Sequence, residues 1–275
     1  MQRTVYGLPA AGHRAAGLAA LLCVCAVAAF TLLGACSQQP SEAGGPARPR
    51  AAIIDQLHST QPNPEFTASA VTQLEACGFA VDLYQGSDIN VDFYRSLTEQ
   101  GYRLIIFRAH SGLLRPIEHG GTEKTAIFTD EPYSRNKYLY EQLERMLPMV
   151  SVGEGNPFFF GIDAKFVEEA MPGSFDGAVV IAAGCSCIYL PDMARAFLNK
   201  GCSVYMAWDG PVTASYVDDA TLHLIAQLSR DTPIEDAVRS TMTAKGADPV
   251  HKAKLHYVPP ENGERTLKQL ALTVD

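Results

Sequence analysis

The chain has 275 residues, 47% of them hydrophobic and 19% charged, which is an ordinary balance for a globular protein. Its formal net charge is −8, and an acidic chain of this kind argues against binding nucleic acid or anionic lipid surfaces through charge. The composition therefore favours a folded domain with no nucleic-acid partner.

The first 36 residues have the pattern of a bacterial export signal. Arg3 and Arg14 precede the uncharged, apolar run 15–35, as the positive and hydrophobic regions of a signal peptide do. The run ends in LGAC at 33–36, which resembles the lipobox of bacterial lipoproteins. That resemblance implies that the chain is cleaved before Cys36 and that the Cys36 thiol carries a lipid.

Three segments follow from this interpretation: a signal peptide at 1–35, a lipidated Cys36 with a Pro/Gly/Ser-rich flexible tether at 36–50, and one domain at 51–275. Cleavage removes two arginines and no acid, so the net charge falls from −8 to −10. An uncleaved signal anchor is the alternative, because about 20 apolar residues also span a bilayer. Either form implies an exported domain, attached to the membrane on its extracytoplasmic face.

The domain begins with alternating strands and helices. Short apolar runs predict three strands, at 51–57, 79–84 and 103–110. Between the first two, Asn63 is a good N-cap with Pro64 at the first helical position, and this helix ends at Gly78. Residues 91–100 predict a second helix.

The same alternation resumes after residue 176. It predicts strands at 177–185 and 203–208, and helices at 191–200, at 217–228 and after a capping box at 232–235. Because these strands are continuously apolar, they indicate a parallel sheet that is covered on both faces. The sequence therefore predicts an α/β fold, a three-layer sandwich with a mostly parallel central sheet.

Two segments interrupt this pattern. Residues 113–162 form an insert with a helix-like stretch at 135–147 and a strand-like stretch at 157–162. In the tail after Gly246, the apolar residues follow no clear helical or strand period. Within the insert, four side chains at helical positions are expected in the core: Tyr138, Leu139, Leu143 and Met146. The insert is expected to form a lid or a wall of a substrate site.

Two reactive side chains fall at the ends of predicted strands. His110 closes the strand 103–110, and Cys185 closes the strand 177–185. Ligands of open parallel sheets collect at the carboxyl ends of the strands, so neighbouring strands would bring the imidazole and the thiol to one crevice. An imidazole beside a thiol lowers the thiol pKa and supplies a proton donor. Either residue alone is more often structural than functional.

The blocks IIFRAHSG (105–112) and VVIAAGC (179–185) resemble those of the caspase-type cysteine peptidase clan, which includes caspases, gingipains, clostripain, separase and the CHAT proteases. The stretch 193–212 is also similar to the helix and strand that follow the nucleophile in the gingipain and CHAT branches. The likeness covers about 51–230. It implies a caspase-like fold and peptidase activity on a polypeptide substrate, with no cofactor.

Residue roles follow from this resemblance. It implies that Cys185 is the nucleophile and His110 its acid–base partner, while backbone N–H groups near Gly112 and Cys185 receive the carbonyl oxygen as it gains charge. Ser111 departs from the clan's pattern, which usually has glycine directly after the histidine. The 75-residue step from His110 to Cys185 also exceeds the caspase spacing. Cys187 is the alternative nucleophile, and Cys185 is preferred because Gly184 before it allows a sharp turn.

Two charged residues are candidates for substrate binding. Asp209 closes the strand after the nucleophile helix, near the place where several members of the clan use an acid to accept an Arg or Lys side chain. It is otherwise a turn aspartate before Gly-Pro. Arg108 lies two residues before His110, on the same side of the strand, and is expected either to bind a substrate carboxylate or to pair with an acid such as Asp55.

The other cysteines of the domain, Cys77 and Cys202, are expected in the core. A metal site could combine Cys185, Cys187 and His110 with His58, but Cys-x-Cys is not a usual zinc spacing, and no metal is expected. Three functions therefore remain open. The preferred one is a membrane-anchored cysteine endopeptidase; the others are an inactive caspase-like binding or scaffold lipoprotein and a thiol redox or metal-binding lipoprotein.

Overall fold

The computed structural model describes residues 48–114, 122–153 and 155–272. The predicted signal peptide 1–35, Cys36 and most of the predicted tether lie outside the described residues. The last residue of that tether, Arg50, already belongs to the first strand. Within the described ranges, no helix combines the length and the apolar character that a membrane crossing requires.

Strands and helices alternate through most of the chain. The described strands are β1 (Arg50–Asp55), β2 (Ala80–Gln85), β3 (Tyr102–Arg108), β4 (Ser111–Leu114), β5 (Lys124–Pro132), β6 (Met149–Val150), β7 (Phe159–Asp163), β8 (Val179–Ala183), β9 (Val204–Trp208) and β10 (Leu255–Val258). The described α-helices are α1 (Pro64–Ala76), α2 (Val91–Ser96), α3 (Leu139–Leu143), α4 (Asp192–Asn199), α5 (Ala214–Leu228) and α6 (Ile234–Lys245).

Six of the described strands form the central sheet, in the order β10-β9-β8-β3-β1-β2. Neighbouring strands in this sheet run parallel, except that β10 runs antiparallel to β9. The predicted α/β fold with a mostly parallel central sheet is confirmed. The strand β10 was not predicted, because it lies in the tail that shows no period in the sequence.

Apolar residues cover both faces of this sheet. Along β1, Ala51 and Ile53 join a buried cluster with α1, α5 and α6, whereas Ala52 and Ile54 join a second cluster with α2 and α4. Burial on both faces explains why the parallel strands are continuously apolar rather than alternating. This arrangement is consistent with three layers.

In and around the insert 113–162, the described strands β4, β5, β7 and β6 form a second, antiparallel sheet in that order. The strand-like stretch 157–162 becomes β7, but β4, β5 and β6 were not predicted. The helix-like stretch 135–147 contains only the short helix α3, because Tyr138 and Arg145 adopt positive φ angles of 51° and 57°, which an α-helix cannot include.

The core prediction for the insert is only partly confirmed. Met146 is buried and Tyr138 packs against the core as a partly buried residue. Leu139 and Leu143, however, are 59% and 82% exposed, so their prediction as core residues was wrong. Their helix is too short to bury a continuous apolar face.

The ends of the helices follow local sequence signals in one case and long-range contacts in another. At α1, the Asn63 side chain accepts a hydrogen bond from the N–H of Phe66 at 3.0 Å, as the predicted N-cap requires. At α6, the predicted capping box is wrong, because the helix begins at Ile234 with no side-chain cap. The N–H groups of Ile234 and Glu235 donate instead to backbone carbonyls of the tail, at 2.9 and 3.0 Å.

A buried ion-pair network joins the carboxyl end of the sheet to α5. The guanidinium of Arg108, in β3, donates to Asp55 at 2.6 Å and forms a two-point contact with Asp218, at 2.7 and 2.8 Å. It also donates to the carbonyl of Gln61 at 2.8 Å. The side chains of Arg108 and Asp55 are 1% exposed and that of Asp218 is 4% exposed, so each charge depends on its partners for stabilisation.

Replacing Asp218 by asparagine should therefore destabilise the fold strongly. Removing one carboxylate leaves a buried guanidinium with less compensating charge, and we expect a loss of about 3 kcal/mol in the free energy of unfolding, measured by urea titration. The neighbouring Asp219→Asn variant is a matched control, because Asp219 pairs with Lys245 at the surface, with its side chain 62% exposed. Its effect should stay within about 0.5 kcal/mol. Equal losses in the two variants would contradict the importance of the network.

Candidate active site

His110 and Cys185 follow two adjacent strands at the same level. The strands β3 and β8 pair in parallel, and their register sets Arg108 opposite Ala183. His110 lies two residues beyond Arg108, and Cys185 lies two residues beyond Ala183. Both residues line one cleft of about 560 Å³ at the carboxyl end of the sheet. Adjacent strands therefore bring His110 and Cys185 to one cleft, and the direct reach of the imidazole to the thiol stays a prediction.

Contacts from two parts of the chain, the segment directly after β1 and the strand β5, hold His110. Its backbone N–H donates to the side-chain oxygen of Gln56 at 2.9 Å, and its carbonyl accepts from the N–H of Phe128 at 2.9 Å. In the ring, Nε2 lies 3.4 Å from the hydroxyl of Thr60. The ring also packs against that of Phe128, with 5.7 Å between the ring centres.

The surroundings of His110 favour its neutral form. Burial lowers the pKa of the imidazole below the ordinary histidine value, and the positive charge of Arg108 lowers that pKa further. The ring is therefore uncharged at neutral pH and has a nitrogen lone pair with which to accept a proton. This is the form that a general base requires.

Cys185 is half-buried, and the loop between β9 and α5 covers its sulfur. The N–H of Val212 lies 3.4 Å from Sγ and the carbonyl of Val212 lies 3.6 Å from it. The next residue, Thr213, donates both its N–H and its hydroxyl to the buried carboxylate of Asp248, at 2.8 and 2.9 Å. Asp248 thus fixes the loop that contacts the sulfur.

Burial raises the pKa of the Cys185 thiol, the hydrogen bond from Val212 opposes that rise, and the negative charge of Asp248 adds to it. The net effect is a pKa above the ordinary value of the thiol. Among the described residues, no hydrogen bond joins the His110 ring to the Cys185 sulfur. The resting pair is therefore a neutral imidazole and a neutral thiol, rather than an ion pair.

Ser111 ties the ends of the two strands together. Its hydroxyl donates to the carbonyl of Cys185 at 2.9 Å and accepts from the thiol of Cys187 at 3.1 Å. Gly184 allows this close approach, because a Cβ at that position would lie 2.3 Å from the Ser111 hydroxyl and 2.6 Å from the carbonyl of Ala109. Ser111, which departs from the clan's pattern, therefore links the end of β3 to the end of β8.

The N–H of Gly112 is directed at a strand partner rather than at the cleft. The pairing of β4 with β5 sets Gly112 opposite Ala126, two residues from the bonded pair of His110 and Phe128. Because bonded pairs alternate along an antiparallel ladder, Gly112 and Ala126 form the next bonded pair. This bonding argues against the oxyanion role predicted for Gly112, and the N–H of Cys185 stays the predicted donor.

The preference for Cys185 over Cys187 agrees with their surroundings. Cys187 is only 2% exposed, and burial raises the pKa of its thiol to about 12. Cys185, in contrast, lines the cleft. Cys185 is thus the more exposed of the two residues and the one at the cleft, which favours it as the nucleophile.

The two charged candidates for substrate binding are engaged in contacts within the chain. Asp209 accepts from the backbone N–H of Lys254 at 2.7 Å, lies 2.9 Å from Nε2 of His256, and is absent from the described lining of the cleft. Arg108 pairs with Asp55, as one of its two expected roles required. Its other expected role, binding a substrate carboxylate, is not favoured because the guanidinium is buried among its partners.

The described cysteines are all free, and they are not arranged with histidines around a metal position. Cys77 is half-buried and Cys202 is buried, so the core prediction holds fully only for Cys202. Across the described ranges, no group of three or more His, Cys, Asp or Glu side chains is arranged to hold a metal ion. His58, the fourth ligand considered from the sequence, lies 3.9 Å from Asp55 instead.

Several residues of the site could not be identified from the sequence. Gln56 and Thr60 contact His110. Val212 contacts the Cys185 sulfur, and Asp248 accepts hydrogen bonds from the adjacent Thr213. Val212 ends the stretch that is similar to the gingipain and CHAT branches, which is a weak signal for its position. No local pattern marks the other three residues.

The raised pKa of Cys185 predicts the pH dependence of its alkylation. Because only the thiolate reacts, the rate with iodoacetamide should still rise above pH 9, the ordinary thiol value, when the reaction is followed by mass spectrometry in a Cys77→Ser background. The same background with Cys185→Ser is the control and should lose this reaction. A rate that is already constant at neutral pH would show an imidazolium–thiolate pair and contradict the neutral resting state.

Neither sequence comparison assigns the chain to a family. No protein-family model matches it, and no curated protein matches it significantly. The chemistry of the cleft therefore has to be inferred from the residues that line it.

Proposed function

We propose that the chain is a cysteine-type endopeptidase with a caspase-like α/β fold, in which Cys185 is the nucleophile and His110 is the acid–base partner. The observation that supports this most directly is the pairing of β3 with β8, after which His110 and Cys185 line one cleft. A nucleophile and a base that share a cleft are the minimum that acyl transfer through a covalent intermediate requires.

The contact of His110 with Thr60 suggests which ring nitrogen acts. When Nε2 carries its proton, it donates to the Thr60 hydroxyl, and Nδ1 keeps the lone pair that accepts the thiol proton. Thr60 is in this view a positioning residue that selects the reactive tautomer. Gln56 holds the backbone at the same position.

The proposed reaction begins with proton transfer from the Cys185 thiol to His110. The thiolate attacks the peptide carbonyl, a C–S bond forms, and the C–N bond breaks as the imidazolium gives its proton to the leaving amine. Water then attacks the thioester carbonyl and loses a proton to His110. The C–S bond breaks, the acid product leaves, and that proton returns to the sulfur.

The surroundings of the sulfur act in opposite directions on this reaction. The N–H of Val212 stabilises the thiolate as it forms, whereas burial and the carboxylate of Asp248 disfavour it. Under the proposal, proton transfer is therefore coupled to substrate binding, because the neutral imidazole accepts the thiol proton once both groups and the carbonyl are in place. A bound peptide also excludes water, which strengthens the hydrogen bonds in the cleft.

A second candidate function is a binding module that uses the same cleft without cleaving its ligand. The raised thiol pKa and the bonding of the Gly112 N–H to Ala126 favour it, because both weaken the catalytic machinery that the resemblance implies. In this case His110 and Cys185 are only part of the wall that recognises a polypeptide.

The proposed location is the extracytoplasmic face of the membrane, through a lipid on Cys36. The support for it is the sequence pattern of residues 1–36. The tether that follows would hold the domain near the membrane surface and leave the cleft open to exported or external polypeptides.

An electrophilic peptide probe tests the proposed catalytic pair. A peptidyl acyloxymethyl ketone should label the protein with one equivalent at Cys185, and His110→Ala should slow labelling about 100-fold or more, which is the usual contribution of a general acid–base group. Mass spectrometry identifies the labelled residue and measures the rate.

Two variants serve as matched controls for this labelling. Cys77→Ser removes another half-buried thiol, and His58→Ala removes a half-exposed histidine next to Asp55. Both should label at the rate of the unchanged protein. If His110→Ala and His58→Ala label equally fast, Cys185 reacts as an ordinary thiol and the binding module becomes the better account.

The proposed lipid anchor has its own test. Expressed in a bacterial host supplied with radiolabelled palmitate, the full chain should incorporate the label and partition into detergent. Cys36→Ser should abolish both properties, whereas Cys77→Ser should preserve them. Unlabelled full-length protein in the membrane fraction would instead support the uncleaved signal anchor.

A further inference from the structure

The second sheet has an unusual outer face. An antiparallel sheet with one face on the core commonly has a polar opposite face. Here Ile127, Phe160 and Ile162 join the main core, yet Ala126, Phe128 and Val150 form a separate buried cluster with Leu114 and Phe159 packed against it. The insert therefore has a second set of apolar side chains that does not pack into the main core.

Part of this second apolar surface forms the wall of the cleft beside His110 and Cys185. Leu114, Phe128 and Val150 line the cleft directly. At its rim, Met149, Val152 and Phe158 also line it, and these side chains are 50%, 51% and 51% exposed. Half-exposed apolar groups around a concave surface are typical of a site that is covered when a ligand binds.

The described lining of the cleft contains no Asp, Glu, Lys or Arg. The carboxylate of Asp209 is engaged with Lys254 and His256, and the Arg108 guanidinium is buried between Asp55 and Asp218. A charged substrate side chain would therefore lose water in this cleft without gaining an ionic partner from the described residues, which is unfavourable.

We infer that the cleft beside Cys185 accepts a large apolar side chain, such as leucine, methionine or phenylalanine, from a residue that flanks the scissile bond. This inference deepens the proposed function, on which it rests, because it names the substrate class of the same cleft. The apolar substrate side chain takes the place of the Arg or Lys side chain that was expected to bind Asp209. The described residues of the insert that line the cleft are then the specificity wall of the site.

Cleavage of a peptide mixture tests the inference directly. Mass spectrometry of the products should show leucine, methionine or phenylalanine enriched at one of the two positions that flank the cleaved bonds. Replacing that residue by alanine in a quenched peptide should lower kcat/KM roughly 10- to 100-fold, because the pocket loses several methylene groups of contact. Enrichment of Arg, Lys, Asp or Glu instead would overturn the inference and leave the peptidase intact.

A charge introduced at the rim should change this preference. Met149→Glu puts a carboxylate beside the cleft, so cleavage after or before apolar residues should fall and cleavage at Arg or Lys should rise. Leu143→Glu is the matched control, because Leu143 is 82% exposed on α3 and does not line the cleft. It should keep the apolar preference. Equal behaviour of the two variants would contradict the assigned wall.

Peptide binding to an inactive variant tests the apolar preference of the cleft separately from the proposed peptidase activity. With Cys185→Ala, fluorescence anisotropy should show a labelled leucine-containing peptide binding at least tenfold more tightly than its Arg and Asp counterparts, and Met149→Glu should remove that difference. Selective apolar binding without any cleavage by the unchanged protein would reject the peptidase and retain the apolar cleft. Absence of both cleavage and selective binding would reject both proposals.

Discussion

The buried guanidinium of Arg108 holds together the end of the sheet on which the cleft is built. It joins Asp55 at the end of β1 to Asp218 on α5, and it also binds the carbonyl of Gln61. A charge that is removed from water costs several kcal/mol unless its partners compensate, so these contacts cannot be loosened one at a time. The network therefore joins β1, β3 and α5 at the carboxyl edge of the sheet.

The same charge acts on the chemistry two residues further along β3. Arg108 helps to keep His110 neutral, while burial and Asp248 keep Cys185 in its thiol form. The structural ion pair and the resting state of the site are thus connected. A neutral pair avoids a reactive thiolate in the free protein, and under the proposed function the bound substrate would trigger the proton transfer.

The sequence predicts well those parts of the fold in which local pattern and burial agree. The parallel strands are fully buried, so their apolar runs are unambiguous, and His110 and Cys185 stand out because they end such runs. The strands β4, β5, β6 and β10 were missed, because antiparallel strands outside the central parallel stretch carry mixed patterns that resemble loops. Leu139 and Leu143 were misjudged because helical spacing does not reveal where a backbone with positive φ angles interrupts the helix.

Residues that shape the site by long-range contact have no local signal. Asp248 is 35 residues from Thr213, and Thr60 is 50 residues from His110. Only the folded chain brings these groups to the two strand ends. Likewise, the bonding of the Gly112 N–H depends on β5, which the sequence did not predict, so its engagement could not be foreseen.

A crystal structure of the protein reacted with a leucyl chloromethyl ketone peptide tests the central claim most directly. The account predicts a covalent bond from the probe to Sγ of Cys185, Nδ1 of His110 facing the adduct within hydrogen-bond distance, and the leucine side chain against Phe128 and Met149. An adduct on another cysteine, or one on Cys185 with the His110 ring turned away and the leucine in solvent, would contradict it.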